Sequence, residues 1–106
     1  MGCDPGYKIG KTQRLMKKVV RTEAYLADLD DIEAYIAQDN AQAATDMWLY
    51  IDDQVTKLAD PNFPRRPGRV KGTRELVARP NYIVILNEDA TTVRALNVVH
   101  ARKKYP

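Results

Sequence analysis

Residues 73–100, TRELVARPNYIVILNEDATTVRALNVVH, decide the fold of this 106-residue chain. They contain three runs rich in Val, Ile, Leu and Tyr, at Thr73–Ala78, Tyr82–Asn87 and Thr92–His100. Connectors of hairpin length separate the runs, which predicts three consecutive antiparallel strands. The second and third runs are apolar at nearly every position, so we expect them at the centre of the sheet.

Upstream of these strands, the sequence predicts a short strand and two helices. Lys18–Thr22 is rich in β-branched residues, which favours a strand, and Thr22 can also serve as a helix N-cap. Two apolar stripes at helical spacing follow, one ending near Asp39–Asn40 and one ending at Asp60, before a proline. The order strand, helix, helix, strand, strand, strand predicts an α+β domain, with a helical hairpin packed on a small, mainly antiparallel curved sheet.

The size and composition predict one soluble domain. We assign residues 16–106 to this domain and expect residues 1–15 to be a disordered extension or the result of an upstream start, with Met16 as the true start. No apolar run approaches the roughly 18 residues of a membrane helix, so we expect a cytoplasmic protein with no membrane partner. One cysteine, Cys3, and one histidine, His100, are too few for a disulfide or a structural zinc site, and we expect no metal and no cofactor.

The charges are distributed in two blocks of opposite sign. Residues 23–60 contain ten acidic side chains against one basic side chain, a net charge of −9, whereas residues 61–80 contain six basic against one acidic, a net charge of +5. Most of the positive block lies in a predicted Arg-, Pro- and Gly-containing loop at residues 62–72. We expect the acidic residues on the outer face of the helical hairpin, and the basic loop on the opposite side, facing an anionic partner.

Two motifs on this framework resemble the RelE/ParE superfamily of bacterial toxins. The first is GTREL at Gly72–Leu76, and the second is the closing pattern Val-His-x-x-x-x-aromatic-Pro at Val99–Pro106. They lie at the two ends of the predicted three-strand meander, and the order of elements is similar from Lys17 to the end of the chain. The GTREL form and the Tyr-Ile-Val at Tyr82–Val84 are more similar to ParE-like members.

The resemblance implies the toxin of a type II toxin–antitoxin, plasmid stabilisation module, neutralised by a cognate antitoxin. In this superfamily, ParE-like members inhibit DNA gyrase by binding, and RelE-like members cut messenger RNA in the ribosomal A site without metal, by 2′-hydroxyl attack. We therefore expect a non-catalytic gyrase inhibitor. The alternative is a ribosome-dependent mRNA endonuclease (an mRNA interferase), and a third possibility is a degraded toxin or an RNA-binding module.

The candidate target-binding residues are cations in and after the basic loop. Four cations within seven residues, next to Gly and Pro, favour contact with a partner over a merely solvated cluster, and such contact weakens as salt increases. For antitoxin binding, we expect Met47 and Trp48 to border an apolar groove, although residues of these types at helical spacing also suit a core. The target-binding set is Arg65, Arg66, Arg69, Lys71, Arg74 and Arg102.

If the protein is a nuclease, the catalytic candidates are Arg74, His100 and Tyr105. The resemblance places Arg74 in the strand that carries a phosphate-clamping arginine, and a guanidinium matches a phosphate with two parallel hydrogen bonds. His100 and Tyr105 are candidate acids or base-stacking groups, because histidine titrates near neutral pH and aromatic rings stack on unpaired bases. Each residue also has a structural alternative: an ion pair with a hairpin acid for Arg74, a hydrogen-bonded role for His100, and a C-terminal anchor for Tyr105.

One further expectation argues against cleavage. Metal-free RNA cleavage needs a base for the 2′-hydroxyl proton, and the basic loop contains no carboxylate. Glu75 follows Arg74 in a predicted strand, so the two side chains should point to opposite faces of the sheet. Glu75 is therefore poorly placed to act as a base beside Arg74.

Overall fold

The computed structural model describes residues 16–79 and 81–100. The expectation for residues 1–15 and the assignments of Arg102 and Tyr105 lie outside the described residues. Two helices pack on a five-stranded mixed sheet, which confirms the predicted α+β class. In chain order the elements are β1 (Lys18–Arg21), α1 (Glu23–Ala37), α2 (Ala41–Lys57), β2 (Arg66–Pro67), β3 (Arg74–Arg79), β4 (Tyr82–Glu88) and β5 (Thr92–His100).

The sheet has the strand order β1-β5-β4-β3-β2. Strands β5 and β4 occupy central positions, as their continuous apolar sequences predicted. Strand β1 pairs in parallel with β5, and the remaining neighbours are antiparallel. Strand β2 was not predicted: two residues, Arg and Pro, carry no strand signal, and they pair only because the loop returns along the start of β3.

Both helices begin with a side-chain cap. The Thr22 side chain accepts a hydrogen bond from the Tyr25 N–H at 3.2 Å, and the Asn40 side chain accepts one from the Ala43 N–H at 3.0 Å. These caps satisfy backbone donors that have no partner inside the helix. The predicted start of α1 after Thr22 is therefore confirmed, and residues 38–40 connect the two helices.

The hydrophobic core lies between the helical hairpin and one face of the sheet. Tyr25 and Leu29 of α1 and Ile51 and Val55 of α2 are fully buried, and they belong to one cluster with the inward residues of β3, β4 and β5. Full burial of one aliphatic side chain contributes about 1.5–3 kcal/mol. This cluster holds the sheet against the helices, and so defines the positions of the strand ends where the candidate site lies.

Two acidic residues of the helices differ from the expectation that such residues cover the outer face. The Asp28 carboxylate accepts the Val98 N–H at 2.9 Å, next to an irregularity in the β4–β5 pairing. Asp52 accepts hydrogen bonds from the Arg21 Nε at 2.7 Å and the Tyr25 hydroxyl at 3.0 Å. Both carboxylates turn inward because part-buried polar donors on the sheet and on α1 need acceptors.

Candidate target-binding surface

The part of the basic loop that follows β2 is an ordered turn leading into β3. The Gly68 N–H donates to the Thr73 carbonyl at 2.8 Å, and the Thr73 N–H donates to the Val70 carbonyl at 3.0 Å. Gly72 has a φ of +89°, in the left-handed region that glycine adopts without steric cost. The loop therefore holds its cations in a defined hairpin.

A buried carboxylate, that of Glu75, holds this hairpin in place through hydrogen bonds. The side chain of Glu75 is only 4% exposed, and it accepts hydrogen bonds from the Arg66 Nε at 3.0 Å and the Arg69 backbone N–H at 3.3 Å. Arg66 keeps 57% of its side chain exposed while making this contact. Glu75 thus acts as an internal counter-ion that orders the loop, and it pairs away from Arg74.

Four of the predicted target-binding cations come together on this hairpin. Arg66, Arg69, Lys71 and Arg74 are all exposed, and all lie within nine residues of sequence on β2, the turn and the first residue of β3. We call these four residues the basic surface. An exposed cluster of like charges creates a positive potential that attracts an anionic partner.

Arg65 is largely buried, unlike the other predicted target-binding cations of the hairpin. Its side chain is only 6% exposed, and its guanidinium donates to the carbonyls of Phe63, Leu58 and Asp60 and to the Glu88 carboxylate. These contacts engage the guanidinium on every side, so Arg65 joins the connection after α2 to the end of β4. It is part of the scaffold, and we exclude it from the proposed contact set.

Glu88, at the end of β4, is the acidic partner of Arg74. The Arg74 Nε lies 3.5 Å from the Glu88 Oε1, and Lys17 Nζ and Arg65 Nη1 bind the other carboxylate oxygen at 2.7 and 2.8 Å. The Glu88 side chain is 10% exposed, and within the described residues its buried Oε1 has no hydrogen-bond partner. Arg74 therefore pairs with a strand carboxylate, whereas the sequence suggested a helix carboxylate.

His100 lies far from Arg74. The register pairs His100 with Tyr82, and Tyr82 with Arg79, whereas Arg74 pairs with Leu86. The four residue steps from Tyr82 to Leu86 span about 13 Å along β4, and β3 and β5 lie about 10 Å apart across the sheet. The His100 ring packs edge-to-face on Tyr82, with centroids 5.0 Å apart, while Arg74 reaches toward Glu88 at the other end of β4.

The residues predicted to bind the antitoxin lie within the helical hairpin. Met47 and Trp48 are partly buried against the core, and the Trp48 Nε1 donates to the Asp30 carboxylate at 3.1 Å. An apolar groove of about 420 Å³ lies elsewhere, between α2 and β3, and its lining includes Phe63 and Val77. The structure thus places the predicted pair on the helical hairpin, partly buried and partly accessible, rather than in this groove.

Within residues 16–79 and 81–100 there is neither a metal-binding cluster nor a helix that could span a membrane. No group of three or more His, Cys, Asp or Glu side chains in that part of the chain is arranged to hold a metal ion. Neither of the described helices has the length and apolar character needed to cross a bilayer.

Comparison with known proteins identifies the family. The family model described as the ParE toxin of the type II toxin–antitoxin system parDE matches residues 19–105. The chain belongs to the ParE toxin family. It is also 37% identical over 90 residues, covering 85% of this chain and 94% of the relative, to the protein named “Putative toxin Y4kP” of Sinorhizobium fredii.

Two solved structures share the fold of this ParE-family toxin. A chain of the chromosomal ParDE TA system from P. aeruginosa has a TM-score of 0.71 and 22% identity, and the match covers 80% of this chain and 96% of that one. A chain of the RelBE2 toxin–antitoxin complex from Mycobacterium tuberculosis has a TM-score of 0.52 and 23% identity, covering 81% and 92% respectively. The protein is therefore a ParE-type toxin of a toxin–antitoxin module.

Proposed function

We propose that this toxin inhibits DNA gyrase in the cytoplasm by binding to it, without catalysing a reaction of its own. The observation that carries the proposal is the basic surface, an exposed hairpin of four cations held in place by Glu75. Because the hairpin is already ordered, little backbone entropy is lost on binding, and charge complementarity accelerates encounter with an anionic surface. Membership of the ParE family supports gyrase as the target.

The alternative function is ribosome-dependent cleavage of messenger RNA. A nuclease that combined Arg74 with His100 would need both side chains within a few ångströms of one phosphate. Their separation of about 13 Å along the strands, and Arg74's contact with Glu88, argue against that pair. The likeness to the RelBE2 chain concerns the fold, so binding remains the favoured function.

We also propose that a cognate antitoxin neutralises the toxin. The two structural neighbours come from a ParDE system and from a RelBE2 toxin–antitoxin complex, which supports an antitoxin as a partner. Met47 and Trp48 are proposed antitoxin contacts, reached by an amphipathic segment that packs along the helical hairpin. In a pull-down with the antitoxin, Trp48→Ala should lower the recovery of complex, and unchanged recovery from a folded variant would contradict this assignment.

A supercoiling assay tests the gyrase proposal directly. Purified toxin should inhibit supercoiling by gyrase, and Arg69→Ala combined with Lys71→Ala should raise the inhibitory concentration, because two contributions to the positive potential are lost. Lys57→Ala is the matched control, since Lys57 is exposed on α2 and, within the described residues, pairs only with Asp53, one helical turn earlier. Full gyrase activity at a large excess of folded wild-type toxin would refute the proposal.

The same preparation also tests the alternative. Primer extension on translated message should show no new 5′ ends, and His100→Ala should leave toxicity unchanged. New cleavage sites that disappear in His100→Ala would favour the nuclease function instead.

A further inference from the structure

A polar cleft of about 640 Å³ opens beside the basic surface, where β4 ends and the connection after α2 passes. Its lining includes three cations, Lys17, Arg65 and Arg74, and two carboxylates, Glu88 inside and Asp89 beside it. The net charge of these five groups is +1. The cleft is continuous with the basic surface because Arg74 belongs to both.

The donors in the cleft are unequally occupied. Arg65 is committed to carbonyl oxygens and to Glu88, and Lys17 Nζ donates to the Glu88 carboxylate and to the Asp89 carbonyl, each at 2.7 Å. Within the described residues, Arg74 is engaged only through Nε, and 49% of its side chain is exposed. The terminal nitrogens of Arg74 are therefore the main donors that the cleft offers to a ligand.

The cleft also offers one acceptor. The Glu88 Oε1 is buried and accepts no hydrogen bond from the described residues, although Arg74 Nε lies 3.5 Å away. A buried carboxylate oxygen without a donor is less stable than a bonded one, because its lost contact with water is not replaced. A ligand that brings a hydrogen-bond donor to Glu88 as well as an anionic group to Arg74 would complete the hydrogen bonding of this site.

This donor and acceptor pattern favours a peptide over a phosphate. Phosphodiester oxygens only accept hydrogen bonds, so they would leave Oε1 unsatisfied. A peptide with an acidic side chain supplies one carboxylate for Arg74 and an N–H or hydroxyl group for Oε1. A single negative charge also balances the net +1 charge of the cleft.

We infer that this cleft binds an acidic peptide segment of the toxin's protein target, with a target carboxylate on Arg74 and a target N–H or hydroxyl group on Glu88. The inference rests on the proposed function, which names gyrase as the protein target. It extends that function by assigning the chemistry of the recognised segment and by adding Glu88 to the contact set.

The first test measures the affinity of the folded toxin for purified gyrase holoenzyme. Arg74→Ala should weaken binding by about 10- to 100-fold, the usual effect of losing a charged hydrogen bond. Arg74→Lys should restore part of the loss, because it keeps the charge and loses the planar fork. Lys57→Ala, the control, should bind as wild type, and equal affinities for Arg74→Ala and this control would overturn the inference.

The second test uses a defined probe, an acidic hexapeptide of alternating Asp and Ser, compared with the same peptide carrying Asn in place of Asp. The acidic peptide should bind wild-type toxin and compete with gyrase, and it should bind Arg74→Ala at least tenfold more weakly. Inorganic phosphate and a short single-stranded RNA, at matched ionic strength, should not displace gyrase. Displacement by either one would overturn the peptide assignment in favour of a phosphate site.

The two tests separate this inference from the proposed function. If wild-type toxin binds gyrase but the acidic peptide does not bind and Arg74→Ala has no effect, only the inference fails. If wild-type toxin does not bind gyrase, the proposed function fails, and the peptide titration of wild type and Arg74→Ala still decides whether the cleft recognises acidic peptides.

Discussion

Replacing Arg65 by methionine tests whether this residue belongs to the scaffold. The Arg65 side chain is 6% exposed, and its guanidinium is hydrogen-bonded to three carbonyls and to Glu88; methionine retains much of the aliphatic volume and removes the guanidinium. Removing one partner of a buried ion pair costs about 3–5 kcal/mol. Lys17 remains bound to Glu88 at 2.7 Å and compensates part of the negative charge of Glu88. We therefore expect Arg65→Met to lower the free energy of unfolding by about 3 kcal/mol, the lower end of this range.

This loss should be visible in both thermal and chemical unfolding. In a domain of this size each kcal/mol shifts Tm by about 4–8 °C, so Arg65→Met should lower Tm by about 12–24 °C. The midpoint of urea unfolding should fall, whereas the slope of the free energy of unfolding against urea concentration should change little, because the surface exposed on unfolding stays similar. Circular dichroism at 222 nm follows both the thermal and the urea unfolding.

The matched control is Arg94→Met. Arg94 is 44% exposed and lies 3.7 Å from an exposed Asp89 oxygen, so its loss should cost less than about 1 kcal/mol. If Arg65→Met is as stable as Arg94→Met, the contacts of Arg65 do not stabilise the fold. It would then return to the target-binding set that its sequence position suggested.

Three further predictions concern carboxylates and a buried tyrosine. Asp28→Ala should lower the free energy of unfolding by about 1–3 kcal/mol, because the Val98 N–H loses its acceptor, and a change below about 0.5 kcal/mol in urea titrations would contradict this role. Burial and the neighbouring Asp52 raise the pKa of Tyr25, so the unfolded chain ionises at this position first and stability should fall as the pH rises above about 10. That fall should be smaller in Tyr25→Phe, and equal slopes in the two proteins between pH 9 and 11 would refute the assignment. Backbone N–H groups of the following turn hold the pKa of Asp89 below its ordinary value, so its stabilising effect should be lost only in acid, and an NMR titration giving an ordinary or raised pKa would disprove it.

The candidate site was predictable where it depends on local sequence. Four exposed cations of the basic surface lie close together in the chain, so any ordered hairpin brings them together. The opposite directions of Arg74 and Glu75 follow from the alternation of side chains along a strand. The role of Glu88 in the site could not be predicted from the sequence, because Glu88 stands next to a turn and has the pattern of a connector residue. Its ion-pair partners are 14, 23 and 71 residues away in the chain.

Sequence alone determined the order and type of the main elements of this protein. Apolar residues at helical spacing, Thr22 as a cap, and three β-rich runs separated by short connectors are local signals, and each element forms where they predicted. The acidic and basic blocks are likewise properties of consecutive residues, and motif resemblance was enough to indicate the toxin family.

Only the tertiary structure decided which charges meet and which stay apart. The parallel pairing of β1 with β5 brings Lys17 to the end of β4, and packing of the connection after α2 buries Arg65 beside Glu88. The same sheet register places His100 and Arg74 at opposite ends of β4. Residue types and spacing cannot specify these relations, because they depend on contacts between segments distant in the chain, which form only when the core closes.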